Sequence, residues 1–379
     1  MRVSHCSTIL IALGACSYAQ PPRNDLGASL RACADRKAAA DAFSGSILTA
    51  ENGRVTWQAS YGHADAERRI PNTLETRFNV ASAGKMFTSV AIGQLVDSGR
   101  LRFSDPIARH LPGLTPEVGA ITIHQLLTHT SGLGDYLRPE NRDAIRAART
   151  AADLLPVALA DGVVFEPGTR QSYSNSGYVV LGAIIERLSG LSYREYLQRH
   201  IFGPAGMSRT SLDGDTPRAT PMTRRRPGGE PADGRPRPAP LIGSAHGSPA
   251  GGAVSTVGDL FRFMEALRTH RLVRAETTEL MWQPHHVSKQ SDSGTGRTSY
   301  GYGFNRADVG GSRFVGHGGG MLGANAQIEM QPETGRLTIA LSNYDPPVAT
   351  ELVQAARQAF IGADPATICA SKATAGGRS

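Results

Sequence analysis

The chain has 379 residues, of which 40% are hydrophobic and 19% are charged. These values are typical of a globular protein and exclude a disordered or fibrous chain. The formal net charge is +7, but no recognition helix, aromatic-basic stripe or zinc-finger spacing accompanies the dispersed arginines, so the composition predicts no nucleic-acid partner.

The N-terminal residues have the order of a secretory signal peptide. Arg2 precedes an apolar run at residues 9–13 and small residues that end at Ala19, which predicts a signal peptide over residues 1–19. Residues 13–16 (LGAC) also resemble a lipobox, in which cleavage before Cys16 leaves that cysteine anchored to lipid. Both alternatives predict an exported protein, periplasmic or secreted. No later segment is apolar for long enough to span a membrane.

Two cysteines, Cys33 and Cys369, remain near opposite ends of the chain after removal of the leader. In an exported protein such a pair is a candidate disulfide. The sequence gives no geometry for the pair, so the bridge is a hypothesis.

The start of the mature chain predicts a helix and a β-hairpin. The alanine-rich residues 27–41 are typical of a helix. Two β-like runs follow at residues 45–50 and 55–61, and the Asn52-Gly53 pair between them is a strong hairpin signal.

The next segments predict a second helix and a largely helical middle. Residues 78–80 are strand-like and lead into a helix from about Ser82 to Asp97. Residues 103 to about 205 are typical of helices joined by turns. Residues 217–240 are rich in proline and arginine, which predicts a surface loop whose arginines are solvated.

The last third alternates β-like runs with glycine turns and ends in a helix. A helix is expected from Thr256 to about Leu267. The later elements are four predicted strands and a helix, at residues 300–305, 312–316, 324–331, 337–342 and 348–360.

This order of elements predicts an α+β fold in one domain, residues 20–365, followed by a tail at residues 366–379. Helical residues lie between two strand-rich ends, so we expect one antiparallel sheet, built from both chain ends and flanked by helices, with an inserted all-helical lobe. The sheet-containing lobe is assigned to residues 26–102 and 246–364, and the helical lobe to residues 103–245.

Ser82 and Lys85 are the first candidate catalytic pair. Their i, i+3 spacing on a helix places both side chains on one face. A serine hydroxyl needs a nearby base to become a nucleophile, and a desolvated lysine with a lowered pKa can be that base. The pair alone is a weak pattern, because a capping serine and a solvent-facing lysine would look the same.

Two further segments offer partners for this pair. Tyr173 has a phenol that can transfer protons, and Asn175 has an amide that can hold a substrate or the lysine. Residues 316–320 (GHGGG) lie between two predicted strands, where glycines allow close approach of a ligand. A packed tyrosine and a glycine-rich turn are the structural alternatives.

Taken together, the ordered motifs resemble the serine β-lactamase and penicillin-binding-protein superfamily. The similarity is to its class C-like branch, which contains β-lactamases, D-alanyl-D-alanine carboxypeptidases, D-aminopeptidases and esterases. It covers roughly residues 40 to 345 and includes residues 126–133 (LLTHTSGL) and 249–252 (PAGG). The resemblance implies a β-lactamase/transpeptidase-like fold and a serine hydrolase that needs no cofactor or metal.

The resemblance also implies a role for each motif residue. Ser82 would form the acyl-enzyme, while Lys85 and Tyr173 would share the proton transfers. Asn175 would position the substrate and the lysine. The backbone N–H groups of Ser82 and Gly320 would form the oxyanion hole, and a third motif of His317, Gly318 and Gly319 would line the substrate. His129 is interpreted as structural, and Tyr136 either lines the pocket or packs in the core.

The third motif departs from the Lys-Thr-Gly of typical β-lactamases. Histidine is largely neutral at pH 7, and Gly318 has no hydroxyl group with which to bind a substrate carboxylate. The substrate is therefore expected to be a small molecule or peptide with an ester, amide or lactam carbonyl. The alternatives are a D-alanyl-D-alanine carboxypeptidase, a β-lactamase, or a module that binds penicillin or peptidoglycan without turnover or with slow deacylation.

Overall fold

The computed structural model describes residues 26–225, 234–240, 246–290, 296–362 and Cys369. The predicted signal peptide, the alternative lipid anchor at Cys16 and the tail other than Cys369 lie outside these ranges. Within the described ranges, no helix has the length and apolar character needed to cross a membrane.

Fourteen strands are present in the described residues. The strands of the main sheet are β1 (Gly45–Glu51), β2 (Arg54–Tyr61), β9 (His286–Gln290), β10 (Gly296–Tyr300), β11 (Asn305–Val309), β12 (Ser312–Met321), β13 (Ala324–Gln331) and β14 (Arg336–Ser342). The shorter strands are β3 (His63–Asp65), β4 (Ile70–Pro71), β5 (Phe78–Asn79), β6 (Met222–Thr223), β7 (Arg237–Pro238) and β8 (Val254–Ser255).

The helices fall before, between and after these strands. They are α1 (Leu26–Ala39), α2 (Lys85–Asp97), α3 (Pro116–Gly119), α4 (Ile123–Leu127), α5 (Arg142–Ala147), α6 (Ala151–Ala158), α7 (Asn175–Ser189), α8 (Tyr193–Leu197), α9 (Gly203–Ala205), α10 (Val257–Arg268), α11 (Ala275–Trp282) and α12 (Val348–Phe360). Tighter or wider turns of helix occur at Ala81–Gly84, Ile107–Arg109, Pro139–Asn141 and Gln198–Phe202.

The main sheet has eight strands in the order β2-β1-β14-β13-β12-β11-β10-β9, and every described pair is antiparallel. The first strands of the chain lie directly beside the last, since β1 pairs with β14. The prediction of an α+β fold with one antiparallel sheet from both chain ends is therefore confirmed.

Alternating side chains of the sheet face two separate hydrophobic layers. On one face Ile47 and Ala340 pack with residues of α1 and α12. On the other face their neighbours Leu48 and Ile339 belong to the large core that also contains α2, α7 and α10. Because successive residues of a strand point to opposite faces, this alternation places α1 and α12 on one side and the helical middle on the other.

The β1–β2 hairpin forms at the Asn52-Gly53 pair as the sequence predicts. Asn52 has a φ of 50° and Gly53 a φ of 73°. Two consecutive left-handed residues produce the type I′ turn, whose twist matches that of the strands it joins.

One of the four strand predictions in the last third is wrong. Residues 300–305 are not a strand, because β10 ends at Tyr300 and β11 begins at Asn305. The two glycines between them allow a tight turn: Gly303 has a φ of 72°, and a Cβ on Gly301 would lie 2.2 Å from the carbonyl oxygen of Met281.

The third motif was also placed wrongly, between two strands. It lies inside β12, which continues to Met321, because Gly318 and its neighbours pair with β13 from Ala324 onwards. Glycine is intrinsically unfavourable in strands, and here the pairing with β13 outweighs that disadvantage.

The described part of the arginine-rich segment contacts the main body of the protein. Met222 and Thr223 are buried, and the carboxylate of Asp345 accepts hydrogen bonds from the Thr223 hydroxyl and the Arg224 amide. The Arg224 guanidinium donates to Asp41 at 2.8 Å. The prediction that these arginines are simply solvated is therefore wrong for Arg224, while residues 226–233 lie outside the described ranges.

A disulfide joins Cys33 of α1 to Cys369, with the two Cα atoms 5.8 Å apart. The predicted bridge is thus present. It links sequence positions 336 residues apart and lies on the face of the sheet that α1 and α12 cover.

Candidate active site

Ser82 lies on a strained turn between β5 and α2. The turn Ala81–Gly84 is a single 3₁₀ turn, so α2 begins at Lys85 rather than at Ser82 as expected. Ala81 has a φ of 44°, and its amide donates to the Asn79 side chain at 2.8 Å. Such a left-handed conformation is unfavourable for alanine and persists only where the surroundings hold it.

Close backbone packing holds this turn. Gly252 donates its amide to the carbonyl of Ala81 at 3.1 Å, and a Cβ on Gly251 would lie 2.3 Å from that same oxygen. Gly251 must therefore be glycine for the segment before β8 to reach the turn. The PAGG sequence at residues 249–252 supplies this contact.

Lys85 is fully buried beside Ser82. Its Nζ donates to Asn175 Oδ1 at 2.7 Å and to the carbonyl oxygen of Ala250 at 2.6 Å. Burial lowers the pKa of Lys85 to about 7, and the carboxylate of Asp135 opposes this change. A lysine that is close to half deprotonated at neutral pH can accept a proton from a serine.

Tyr173 reaches the same point from the start of α7. Its ring centre lies 4.7 Å from Lys85 Nζ, and 46% of its surface is exposed. Partial burial of the phenol raises its pKa above the ordinary value, and a hydrogen bond with Ser82 opposes that shift. The structure therefore brings the predicted residues Ser82, Lys85 and Tyr173 together, with a phenol that remains protonated.

Asn175 is held by a carboxylate that the sequence analysis missed. Asp135 Oδ2 accepts from Asn175 Nδ2 at 2.8 Å and from the Asn175 amide at 3.3 Å. With its Nδ2 directed to Asp135, the amide presents its oxygen to Lys85. The sequence feature that could have drawn attention to Asp135 is its place in the SGLGDY segment, directly before Tyr136.

The third motif faces the turn Ala81–Gly84 along the part of β12 that does not pair with β11. β11 pairs with β12 only as far as Gly316. Beyond this point a Cβ on Gly319 would lie 2.1 Å from the carbonyl oxygen of Val80 and 2.9 Å from the Ser82 amide. Gly319 is therefore a close-approach glycine beside Ser82, whereas a Cβ on the next residue, Gly320, would meet Pro346 at 2.7 Å.

His317, which was expected to line the substrate, makes its hydrogen bonds within the protein. Its Nε2 lies 3.1 Å from the Tyr300 hydroxyl, and its Nδ1 bonds to the carbonyl oxygen of Gly318. The ring is 4% exposed, and burial together with the charge of Lys85 lowers its pKa to about 4. His317 is thus neutral at pH 7, and both of its nitrogens are engaged within the protein.

His129 contacts Tyr173 directly. The two ring centres are 4.3 Å apart, and His129 Nδ1 accepts from the Ser174 amide at 3.2 Å. His129 has a φ of 59°, so it also shapes the turn, as predicted. Its Nε2 lies 3.1 Å from the hydroxyl of Tyr300, a residue that the sequence analysis did not single out.

Tyr136 packs in the core. It is 3% exposed, its hydroxyl lies 3.5 Å from Ser248 Oγ, and burial raises its pKa to about 12. Of the two interpretations offered for Tyr136, the structure favours packing over contact with substrate.

The described residues contain no group of three or more His, Cys, Asp or Glu side chains arranged to hold a metal ion. The adjacent residues His285 and His286 are not part of such a group. His285 stacks on Tyr302 with ring centres 4.0 Å apart.

Comparison with known proteins identifies relatives of this fold. Among curated proteins, the chain is 38% identical over 174 residues to "Penicillin-binding protein 4*" of Bacillus subtilis (strain 168), which covers 45% of this chain and 38% of that protein. A second relative from the same organism, "Putative penicillin-binding protein PbpX", is 38% identical over 166 residues. The aligned region spans about two-fifths of the length of these curated relatives.

Solved structures match over most of the chain. A penicillin-binding protein from Bacillus halodurans has a TM-score of 0.75 at 28% identity and covers 87% of this chain and 98% of its own. A D-amino acid amidase from Ochrobactrum anthropi SV3 has a TM-score of 0.73 at 25% identity and covers 89% and 99%. The predicted β-lactamase and penicillin-binding-protein resemblance is confirmed.

A family model described as Beta-lactamase matches residues 30–363, which includes every motif residue discussed above. The match extends across both ends of the main sheet and the helices between them. The chain belongs to the Beta-lactamase family.

Proposed function

We propose that this protein is an exported serine hydrolase that acts through an acyl-enzyme on Ser82. The observation that carries the proposal is the state of Lys85. It is fully buried, its pKa is lowered to about 7, and its Nζ bonds to an amide and a carbonyl oxygen rather than to a carboxylate. A buried amine that can lose its proton, one turn from a serine, is suited to general-base catalysis.

The proposed reaction has two acyl-transfer steps. Ser82 Oγ attacks the carbonyl carbon of the substrate while its proton passes to the Lys85 amine, directly or through the Tyr173 phenol. The tetrahedral oxyanion is stabilised by the amides of Ser82 and Gly320. As the bond to the leaving group breaks, that group takes a proton from the Lys85–Tyr173 pair. A water molecule then attacks the acyl-enzyme and gives a proton to the same pair. The pair returns this proton to Ser82 Oγ as the bond between Oγ and the acyl carbon breaks, which releases the acid and restores the free serine.

The third motif supports neutral esters and amides as substrates. Both His317 nitrogens are engaged, and Gly318 offers no hydroxyl group. A hydroxyl-bearing side chain at position 318 would also meet Gln327, whose Oε1 lies 2.5 Å from the place of a Cβ. A substrate carboxylate would therefore find no charged or hydroxyl donor here, which disfavours efficient hydrolysis of β-lactams.

The relatives are consistent with this range of substrates. Solved structures similar to this chain are named D-amino acid amidase and D-stereospecific amidohydrolase, at 25% identity each. Others are named penicillin-binding proteins. Amide hydrolysis is therefore the first activity to test beside ester hydrolysis.

A fluorophosphonate probe tests the nucleophile. We expect the probe to label Ser82, and Ser82→Ala to abolish both labelling and hydrolysis of p-nitrophenyl esters. Ser176→Ala is a matched control, since Ser176 is a buried serine near the site whose hydroxyl makes no hydrogen bond among the described residues. Undiminished hydrolysis by Ser82→Ala would refute the proposal.

The alternative is a module that binds acyl donors without turnover. Rapid-mixing experiments with esters, nitrocefin, D-alanyl-D-alanine peptides and D-amino acid amides distinguish the two. A steady-state rate after the first turnover supports the hydrolase, whereas a burst of one equivalent followed by no further product supports the binding module.

A further inference from the structure

Three buried side chains form a continuous hydrogen-bonded chain behind the site. His129 Nε2 lies 3.1 Å from the Tyr300 hydroxyl, and that hydroxyl lies 3.1 Å from His317 Nε2. All three residues are buried. They come from the turn after α4, the end of β10 and the middle of β12, which are far apart in the sequence.

The two ends of this chain determine the direction of every hydrogen bond in it. At one end the Ser174 amide can only donate, so His129 Nδ1 accepts and the neutral ring carries its proton on Nε2. At the other end the Gly318 carbonyl can only accept, so His317 carries its proton on Nδ1. Tyr300 must then accept from His129 and donate to His317.

Two acceptors lie within reach of the Tyr300 hydrogen, His317 Nε2 at 3.1 Å and the Tyr178 oxygen at 3.5 Å. The Tyr178 hydroxyl directs its own hydrogen to the carbonyl oxygen of Leu127 at 3.1 Å, so it does not donate to Tyr300, and the shorter contact of the Tyr300 hydroxyl is the one with His317. The pKa values agree with neutral rings. Burial, followed by the charge of Lys85, lowers the pKa of both His129 and His317, and burial raises that of Tyr300.

The hydrogen bonds from His129 through Tyr300 to His317 connect the two sides of the proposed site. His129 packs its ring on Tyr173 at a centre-to-centre distance of 4.3 Å. His317 precedes Gly319, the close-approach glycine beside Ser82. The Tyr300 hydroxyl therefore lies between His129, which packs on the Tyr173 ring, and β12, which carries the proposed oxyanion donor.

We propose that Tyr300 is a positioning residue of the acyl-transfer site. By accepting from His129 and donating to His317, its hydroxyl holds the Tyr173 ring and the third motif of β12 in their relative positions. The proposal rests on the proposed function for its effect on catalysis. The opposite tautomers that it requires of the two histidines exist whether or not the protein is a hydrolase.

The first test measures the wild-type protein. Nitrogen-15 NMR of labelled histidines at pH 7 should find His129 as the Nε2–H tautomer and His317 as the Nδ1–H tautomer, each neutral. Like tautomers in the two rings, or a protonated His317, would overturn the inference. This result does not depend on activity, so it separates failure of the inference from failure of the proposed function.

The second test removes the hydroxyl with Tyr300→Phe, which keeps the ring. The His317 Nε2 resonance should move towards that of an unbonded acceptor nitrogen. We expect kcat for ester hydrolysis to fall roughly tenfold, the equivalent of one neutral hydrogen bond, with KM within about twofold because Tyr300 is buried away from substrate.

Tyr302→Phe is the matched control from the same turn. Tyr302 is also a buried tyrosine, and its hydroxyl bonds to His124 Nδ1 at 2.8 Å, outside the chain. This variant should keep kcat and the His129 and His317 resonances. A folded Tyr300→Phe protein with wild-type kcat, or an equal fall in kcat in both variants, would refute a positioning role for Tyr300.

Discussion

At the scale of single residues, the charge state of Lys85 governs the proposed chemistry. Its lowered pKa reflects burial, and the Asp135 carboxylate, whose charge opposes this shift, bonds to Asn175 rather than to the lysine. The site therefore meets two opposing requirements for Lys85, desolvation of its amine and hydrogen bonding of that amine. The lysine is desolvated enough to lose its proton, and its Nζ still donates two hydrogen bonds within the protein, to Asn175 and Ala250.

The pH dependence of hydrolysis should report this lysine. Because the base is the neutral amine, kcat/KM for a neutral ester should rise with pH through about 7, as the proton leaves Lys85. His317, with a pKa of about 4, has already lost its proton over this range. Lys85→Arg should abolish the rise and lower activity by roughly a hundredfold or more, since arginine keeps its proton. Stopped assays from pH 5 to 9 measure the profile.

Asp135→Asn provides the control for this assignment. The Asp135 carboxylate raises the pKa of Lys85, so its neutralisation should move the midpoint of the profile to lower pH. Asparagine can keep an oxygen directed at Asn175 Nδ2, which preserves the contact. A profile that stays in place in Asp135→Asn, or one that is flat from pH 5 to 9, would contradict the role assigned to Lys85.

At the scale of elements, the site depends on how closely β12 approaches the turn Ala81–Gly84. This turn precedes α2. Strand β12 has three successive glycines, at positions 318, 319 and 320. The glycines differ in what surrounds them. Backbone atoms surround Gly319, whereas a flexible Gln327 side chain lies opposite Gly318. The backbone around Gly319 cannot move aside for an added methyl group, whereas the Gln327 side chain opposite Gly318 can.

We predict opposite outcomes for two substitutions in this strand. In Gly319→Ala the new Cβ would lie 2.1 Å from the Val80 carbonyl oxygen, so β12 must move away from Ser82. A displacement of about 1 Å at a catalytic centre can lower the rate by roughly a hundredfold. Gly318→Ala displaces only the Gln327 side chain and should keep activity within severalfold. Initial rates and circular dichroism of both variants measure this difference, and equal losses would contradict it.

The sequence predicted those parts of the fold and site that depend on local patterns. The hairpin at Asn52-Gly53 and the final helix at residues 348–360 were placed correctly, because turn chemistry and helical periodicity are written in adjacent residues. The ordered motifs also located Ser82, Lys85, Tyr173 and Asn175, which the structure brings together.

What the sequence could not predict depends on contacts between distant segments. Asp135 and Tyr300 act through Asn175 and the two histidines, so neither stands in a pattern of its own. The glycines of the third motif were placed between two strands, because only their pairing with β13 shows that they lie inside β12. The alternation of tyrosine and glycine at residues 300–304 could have drawn attention to Tyr300, but it was interpreted as a strand.

At the scale of the whole molecule, the two ends of the chain support the sheet that carries the site. β1 pairs with β14 along six residues, and α1 packs against α12 over the same face. An ion pair between Lys37 and Glu351 joins α1 to α12, and the disulfide joins Cys33 of α1 to Cys369. The proposed site lies on the other face, where Ala83 and Met86 belong to the large core.

This separation predicts that loss of the disulfide affects stability but leaves the chemistry intact. In the double variant Cys33→Ser/Cys369→Ser, the unfolded chain regains the freedom of a very long loop, which should lower the free energy of unfolding by about 2–4 kcal/mol. The site is built on the opposite face, so kcat at 25 °C should stay within about twofold. Urea unfolding of the variant, of the oxidised wild type and of the reduced wild type gives the comparison. The reduced wild type should match the variant, and a variant as stable as the oxidised protein would show that the bridge does not stabilise this fold.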